Sequence, residues 1–309
     1  MAPSGDEIEP QQEAAGALAI CVSRGFCELL SGGRAIPPAK TEERPLRMSA
    51  DAPNTSLAPV FAFGLRTPDA PQISVVAPMY NEAAGARAFV KEISRALSGV
   101  SHEIIIVDDG STDETRSVLL EERAETPQLR VLAHRKNAGQ SRAIRTGVLA
   151  ARAPVIATLD GDGQNDPADI PALYDRLTRA DAPKTLAMVG GERRKRQDTA
   201  ARRWASKAAN SVRSWLLKDG AADTGCGLKV FYREAFLRLP AFDHMHRYLP
   251  ALMRREGFEA EFLPVNHRAR AHGSSKYTNL GRLAVAARDL LGVMWLNDRA
   301  RSPNEISEL

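Results

Sequence analysis

The sequence predicts an α/β fold in which a mixed, mainly parallel sheet is flanked by helices. Short apolar runs alternate with amphipathic stretches of about ten to fifteen residues, a pattern typical of strands joined by covering helices. Polar and acidic residues directly follow several of the apolar runs, where the loops of such a sheet bind ligands. The chain has 309 residues, 43% of them hydrophobic, so it can bury a large core.

The apolar runs from residue 73 onward are predicted to be strands. They are rich in aliphatic residues and are bounded by turn-forming residues. The predicted strands are residues 73–77, 104–107, 130–132, 155–159, 186–190 and 228–232, with another just before residue 265.

Helices are predicted between these strands from apolar residues at helical spacing. Ser111 and Glu114 have the spacing of a capping box and predict the start of the second helix, which continues to Leu120. Five further helices are predicted: one containing residues 86–97, one from just after Gly139 to Ala151, one over residues 170–178, one beginning near residues 246–250, and one over residues 283–296.

Acidic or aromatic side chains follow the first, second and fourth predicted strands. Since ligands bind beyond the carboxyl ends of parallel strands, we expect these side chains to lie around one site. They are Tyr80 and Glu82, then Asp108 and Asp109, then Asp160 and Asp162.

The stretch 160–167, with the sequence DGDGQNDP, is the strongest candidate for a metal site. Asp160 and Asp162 are each followed by a glycine, so the backbone can bend and turn both carboxylates toward one point. Two carboxylates with an amide oxygen suit Mg²⁺ or Mn²⁺ that is also held by substrate phosphates. The alternative is a surface turn, and residues 165–167 are predicted to be only that.

A dinucleotide Rossmann site and a P-loop are both disfavoured, because the sequence lacks their motifs. No G-x-G-x-x-G follows the first strand, and no G-x-x-x-x-G-K-[ST] occurs in the chain. Carboxylates repel phosphates unless a divalent cation lies between them, so the acidic strand ends favour a metal-assisted site.

A basic segment follows the fifth predicted strand. Its charges are Arg193, Arg194, Lys195, Arg196, Arg202 and Arg203. The helix predicted next carries Trp204 and Trp215 on an apolar stripe, which suits an anionic membrane surface, although a solvated basic face is the alternative. The net charge is only +4 and no recognition motif accompanies the cluster, so nucleic-acid binding is disfavoured.

Residues 1–70 are predicted to be a disordered extension, because they are rich in Ala, Pro, Gly and Ser and lack periodicity. Met48 within this stretch is a candidate natural start. The three cysteines, Cys21, Cys27 and Cys226, show no metal or disulfide pattern, which fits a reducing compartment. No run of 18 apolar residues predicts a transmembrane helix.

From about residue 73 to residue 299 the chain resembles the family 2 inverting glycosyltransferases of the GT-A fold. The resemblance is carried by three motifs in order, at residues 78–82 (PMYNE), 107–111 (VDDGS) and 160–167. The later match at residues 273–277 (GSSKY) points to the polyprenyl-phosphate sugar synthases, typified by dolichol-phosphate mannosyltransferase.

This resemblance implies roles for individual residues. Base and ribose contacts are implied for Pro78, Tyr80, Glu82, Asp109 and Asp160, and metal ligation for Asp160, Asp162 and Gln164. A loop closing over the donor diphosphate is implied for Arg270, Ser274 and Lys276, with Lys276 also catalytic. Acceptor-phosphate contacts are expected at Arg193, Arg203 and Arg247, with Asp223 nearby as an orienting residue or, less favoured, a general base.

The expected protein is therefore a metal-dependent transferase that moves a hexose from a UDP- or GDP-sugar to a polyprenyl phosphate. Its single catalytic domain is expected at residues 71–282, followed by an amphipathic helix and tail at residues 283–309. Many relatives have C-terminal transmembrane helices and this sequence shows none, so we expect peripheral association with the cytoplasmic face of the membrane. The alternatives are transfer to a soluble or saccharide acceptor, and a non-catalytic nucleotide-sugar-binding protein.

Overall fold

A computed structural model describes residues 70–193, 213–221, 223–269 and 279–301. The disordered extension expected at residues 1–70 lies outside these ranges except for its last residue. Most of the predicted basic helix, including Arg203 and Trp204, also lies outside them, as do Arg270, Ser274 and Lys276.

The predicted mainly parallel sheet is confirmed. Its seven strands lie in the order β3-β2-β1-β4-β6-β5-β7, and β6 runs antiparallel to both of its neighbours. The strands are β1 (Ile73–Met79), β2 (His102–Asp108), β3 (Leu129–Ala133), β4 (Val155–Thr158), β5 (Leu186–Arg193), β6 (Lys229–Tyr232) and β7 (Glu259–Val265).

Helices cover both faces of the sheet, and short 3-10 helices (Pro167–Asp169 and Met245–Arg247) lie in the loops. Residues 213–217 are also helical. The longer helices are α1 (Ala83–Ala96), α2 (Thr115–Glu125), α3 (Gln140–Ala150), α4 (Ile170–Thr178), α5 (Arg233–Arg238), α6 (Leu249–Arg255) and α7 (Asn279–Asp298).

Alternate residues of each strand enter two hydrophobic cores. Val75 of β1 packs in one core with residues of α1, α2 and α4. Its neighbour Val76 packs in the other core with residues of α3, α5, α6 and α7, as the two-residue period of a strand requires. At Gly147 of α3 a Cβ atom would lie 2.4 Å from a methyl carbon of Val76. The absence of a side chain there lets α3 lie close to β1, which fixes the position of its first turn.

Two local predictions were wrong. Helix α2 begins at Thr115 without a side-chain cap, because Ser111 is used elsewhere: its backbone N–H donates to Asp108 and its hydroxyl accepts from the backbone of Asn81. The last helix begins at Asn279, four residues before the start predicted at residue 283.

Candidate active site

The loop after β1 is tied to the loop after β2. Asn81 has a left-handed backbone, with φ of 56°. Its N–H donates to Ser111 Oγ at 3.0 Å, and its side-chain oxygen accepts from the N–H of Thr112 at 2.8 Å. The N–H of Glu82 donates to Thr115 Oγ1 at 2.9 Å. These bonds hold the PMYNE segment, including the half-buried Tyr80 and Glu82, beside the start of α2.

Asp109 joins the end of β2 to the start of α3. Its carboxylate accepts from the backbone N–H groups of Ala138 at 2.9 Å and Gly139 at 2.8 Å, and His134 Nδ1 lies 2.7 Å from it. A carboxylate at a helix N-terminus satisfies N–H groups that the helix itself leaves unpaired. Asp109 is only 3% exposed, so the structure places it as a support of the α3 start, and its contact with a nucleotide stays a prediction.

Asp160 lies just beyond β4, between α3 and the segment that leads into β6. Gln140 Nε2 donates to its carboxylate at 2.7 Å. At Gly227 a Cβ atom would lie 2.3 Å from the same carboxylate, so only glycine leaves room for it. Burial raises the pKa of Asp160, and the charge of Asp162 adds to the rise, while Lys229, Gln140 and Arg193 oppose it.

The second half of the 160–167 stretch is more than the predicted turn. Asn165 is buried, and its side-chain oxygen accepts from the backbone N–H of Asp160 at 3.2 Å. The N–H of Gln164 donates to Asp162 Oδ1 at 3.1 Å, and the carbonyl of Gln164 accepts from the N–H of Arg268 at 2.9 Å. Asn165 therefore fixes the backbone at Asp160, while the backbone of Gln164 holds the Asp162 side chain, so Asn165 is more than the predicted turn residue.

The residues present fit a divalent cation that is shared with a substrate. Asp160 and Asp162 are separated by one residue in a turn held by bonds from Asn165 and Gln164, and a cation bound there would offset two like charges. Within the described ranges, no group of three or more His, Cys, Asp and Glu side chains is arranged to hold a metal. Mg²⁺ commonly takes one or two carboxylates and completes its shell with phosphate oxygens and water.

Arg193, at the end of β5, forms a two-bond ion pair with Asp223. Its Nε and one terminal nitrogen donate to the carboxylate at 2.6 Å and 2.7 Å, and the N–H of Gly225 donates to the same carboxylate at 3.2 Å. Asp223 is 8% exposed. This geometry fixes the guanidinium plane, which favours the orienting role of Asp223 over the role of general base.

Sequence reasoning missed Gln140, Lys229 and His246. Lys229 is buried in β6, where burial lowers its pKa and nearby carboxylates oppose that fall. His246 Nδ1 lies 2.7 Å from Ser141 Oγ, and burial, followed by the charges of Lys229 and Arg247, holds the pKa of His246 well below 6.5. In the sequence, Lys229 could have been noticed because it is a charged residue inside the apolar run 228–232.

The remaining predicted residues are placed as follows. Pro78 is half-buried within β1, opposite Val107 of β2. Arg247 is exposed at the end of the 3-10 helix Met245–Arg247, and its acceptor role stays a prediction.

Cys226 is a free, buried thiol. Across the part of the chain that the structure describes, we find no helix whose length and apolarity would allow it to span a bilayer.

Comparison with known sequences identifies related proteins. The family model described as glycosyl transferase family 2 matches residues 74–257. Dodecaprenyl-phosphate galacturonate synthase of Rhizobium johnstonii is 34% identical over 233 residues, which cover 72% of this chain and 67% of that protein. Undecaprenyl-phosphate 4-deoxy-4-formamido-L-arabinose transferase of Pseudomonas fluorescens is 34% identical over 226 residues, covering 72% and 65%. The chain thus spans about two thirds of the length of these curated relatives.

Solved structures share the fold. Glucosyl-3-phosphoglycerate synthase from Mycobacterium tuberculosis, solved with Mn²⁺, UDP and glucosyl-3-phosphoglycerate, superposes with a TM-score of 0.56 at 18% identity over 75% of this chain and 81% of that one. A mannosyltransferase from Pyrobaculum calidifontis, solved with GDP-Man and Mn²⁺, gives a TM-score of 0.53 at 20% identity over 76% and 66%. At these identities the likeness establishes the fold alone.

Proposed function

Because the chain belongs to glycosyl transferase family 2, we propose that it transfers a hexose from a nucleotide-sugar to a polyprenyl phosphate, with inversion at the sugar carbon. The observation that carries this proposal is the Arg193–Asp223 pair: its guanidinium lies against Gly225, two residues from the glycine against which the Asp160 carboxylate lies. The guanidinium of Arg193, held in one orientation, can bind the phosphate of the acceptor. The carboxylate of Asp160, with a metal ion, can hold the diphosphate of the donor. The relatives named above act on dodecaprenyl and undecaprenyl phosphate, which supports a polyprenyl acceptor.

The donor is assigned to the ends of β1, β2 and β4. Asp160, Asp162 and Gln164 would hold Mg²⁺ or Mn²⁺, and the ion would stabilise the charge that develops on the departing diphosphate. Pro78, Tyr80, Glu82 and Asp109 would position the base and ribose. Arg270, Ser274 and Lys276 would close over the diphosphate.

The acceptor is assigned to the end of β5. A phosphate monoester has a second pKa near ~6, so the attacking oxygen is already largely anionic at neutral pH. Proton removal by a strong base is therefore unnecessary, and orientation of the phosphate matters more. Arg193 would bind this phosphate with Arg203 and Arg247, and Asp223 would keep the Arg193 guanidinium in the required plane.

Peripheral attachment to the cytoplasmic face of a membrane completes the proposal. Trp215 is 76% exposed, and on α7 Leu291 and Trp295 are 66% and 61% exposed. The segment that carries Trp215 and the helix α7 both contact α6. Arg254 of α6 donates to the carbonyl of Lys218, three residues after Trp215, and Arg255 of α6 donates to the carbonyl of Leu296 in α7. Exposed tryptophans favour the interface between headgroups and acyl chains, where a polyprenyl phosphate would be reached.

The test is transfer from a panel of UDP- and GDP-sugars, with Mn²⁺, to undecaprenyl phosphate in detergent or to 3-phosphoglycerate. Mass spectrometry would identify the product, and NMR its anomeric configuration. We expect lipid-linked product, lost in Arg193→Gln and retained in Arg87→Gln, whose guanidinium pairs on the surface with Glu121. Product formed only on the soluble acceptor would overturn the lipid assignment, and no product from any donor would overturn the transferase proposal.

A further inference from the structure

Lys229 of β6 carries a buried ammonium group on the strand next to β4, which leads into Asp160. Because β6 runs antiparallel to β4, Lys229 pairs with Thr158, two residues before Asp160. The lysine is 5% exposed, and its ammonium donates to the carbonyl of Cys226. The nucleotide and acceptor assignments above leave this group without a role.

Asp160 and Lys229 are anchored on the same short segment. The Asp160 carboxylate lies so close to Gly227 that a Cβ there would meet it at 2.3 Å, and the lysine bonds to the preceding residue, Cys226. The two side chains therefore approach the segment 226–227 together, and each acts electrostatically on the other.

Four groups make up what we call the charge cluster: Asp160, Asp223, Arg193 and Lys229. Arg193 pairs directly with Asp223 and acts on Asp160, while Lys229 acts on both aspartates. The cluster thus joins two basic and two acidic side chains. Asp162, two residues after Asp160, adds a third acidic side chain.

We propose that Lys229 is a positioning residue whose charge compensates the Asp160 carboxylate across the segment 226–227 and weakens metal binding until a nucleotide diphosphate arrives. A partly buried carboxylate without a counter-charge is unstable, and Lys229 provides that charge from inside the protein. The same ammonium repels an incoming divalent cation. The diphosphate of the donor would add negative charge that offsets the repulsion between the ammonium and the cation, so that metal and nucleotide bind together. This inference rests on the metal site of the proposed function.

The test compares wild type, Lys229→Met and Lys229→Arg at about pH 8. Binding of Mn²⁺ alone would be measured by EPR of the free ion, and thermal shifts would be recorded with Mn²⁺, with UDP or GDP, and with both. We expect Lys229→Met to bind Mn²⁺ alone about tenfold more tightly than wild type, because a like charge has been removed. Lys229→Arg keeps the charge and should resemble wild type. Equal affinities of wild type and Lys229→Met would overturn the inference.

A second comparison covers the case in which Lys229→Met does not fold. Lys229→Met would be compared with the double variant Asp160→Asn/Lys229→Met by urea unfolding. If the lysine compensates the Asp160 carboxylate, removing that carboxylate should restore stability, so the double variant should fold and be more stable than Lys229→Met alone. A double variant that is no more stable than Lys229→Met would mean that Lys229 supports packing, and the inference would be wrong.

These outcomes separate the inference from the proposed function. If wild type shows no stabilisation by Mn²⁺ with either nucleotide, the assignment of the metal and the donor is wrong, and this inference is then wrong too. If wild type responds and Lys229→Met matches it with Mn²⁺ alone, the role of Lys229 alone fails.

Discussion

The two halves of the candidate site are held together by different interactions. At the ends of β1 and β2, side chains bond to backbone groups and hydroxyls, as Asn81 does with Thr112 and Asp109 with the start of α3. At the ends of β4 and β5 and the start of β6, the charge cluster brings acidic and basic side chains together, as in the Arg193–Asp223 pair.

This difference predicts how each half responds to mutation. Losing one hydrogen bond of the first kind typically costs about 1 kcal/mol, because water or a neighbour can replace it. Removing one member of a buried ion pair leaves an uncompensated charge and costs about 3–5 kcal/mol. Substitutions in the second half should therefore affect binding and catalysis more strongly than those in the first half.

The largest expected effect is that of Asp162→Ala, which removes a proposed metal ligand and one acidic side chain of the site. We expect transfer to fall by about a thousandfold or more, as for other groups that stabilise developing charge. Thermal stabilisation by Mn²⁺ with nucleotide should be lost too. Asp181→Asn, at a position 88% exposed, is the matched control. Full activity of Asp162→Ala would show that the metal site lies elsewhere.

Gly227→Ala should come next, because its Cβ would meet the Asp160 carboxylate at 2.3 Å and displace it from Gln140. A displacement of this kind should lower kcat/KM by about a hundredfold. Gly292→Ala on α7 is the control, since nothing lies within 4 Å of its new Cβ. If Gly227→Ala kept wild-type activity, the close fit of Asp160 against this segment would be irrelevant to catalysis.

Asp223→Asn separates orientation from base catalysis. If Asp223 orients Arg193, KM for the acceptor should rise and kcat/KM should fall about ten- to hundredfold, since one ionic partner of a bidentate pair is lost. The pH–rate profile should keep its shape. Loss of turnover with unchanged acceptor binding would instead identify a general base.

Ser111→Ala tests the hydrogen-bonded half. It removes the hydroxyl that accepts from the backbone of Asn81, and we expect a loss of about 1 kcal/mol in the free energy of unfolding, measured in urea. Activity should change by less than about threefold. A loss as large as that of Asp223→Asn would erase the contrast between the two halves.

The smallest expected effect concerns pH. The pKa of His246 is held well below 6.5 in the folded protein, mainly by burial, so the unfolded chain takes up its proton first as pH falls. The stability that neutral His246 contributes is complete above pH 6.5 and declines below it. Wild type should therefore lose more stability than His246→Asn between about pH 7 and pH 5 in urea unfolding. Parallel curves would contradict this assignment.

The fold class and much of the site could be predicted from sequence because both depend on local patterns. The apolar runs and helical spacings lie within single elements, and α4 begins and ends where its sequence predicts. The acidic residues after β1, β2 and β4 are near one another because parallel strands end at the same edge of a sheet.

Tertiary structure decided which side chains support those residues. Gly227 and Lys229 lie near Asp160 because β6 inserts antiparallel between β4 and β5, and its pairing with β4 joins residues more than about 70 positions apart. The Ser111 capping box fails for a related reason, since bonds to Asp108 and Asn81 across the loops take its groups first. Spacing along the chain therefore determined the motifs, whereas the approach of distant strands and loops determined the charges and hydrogen bonds around them.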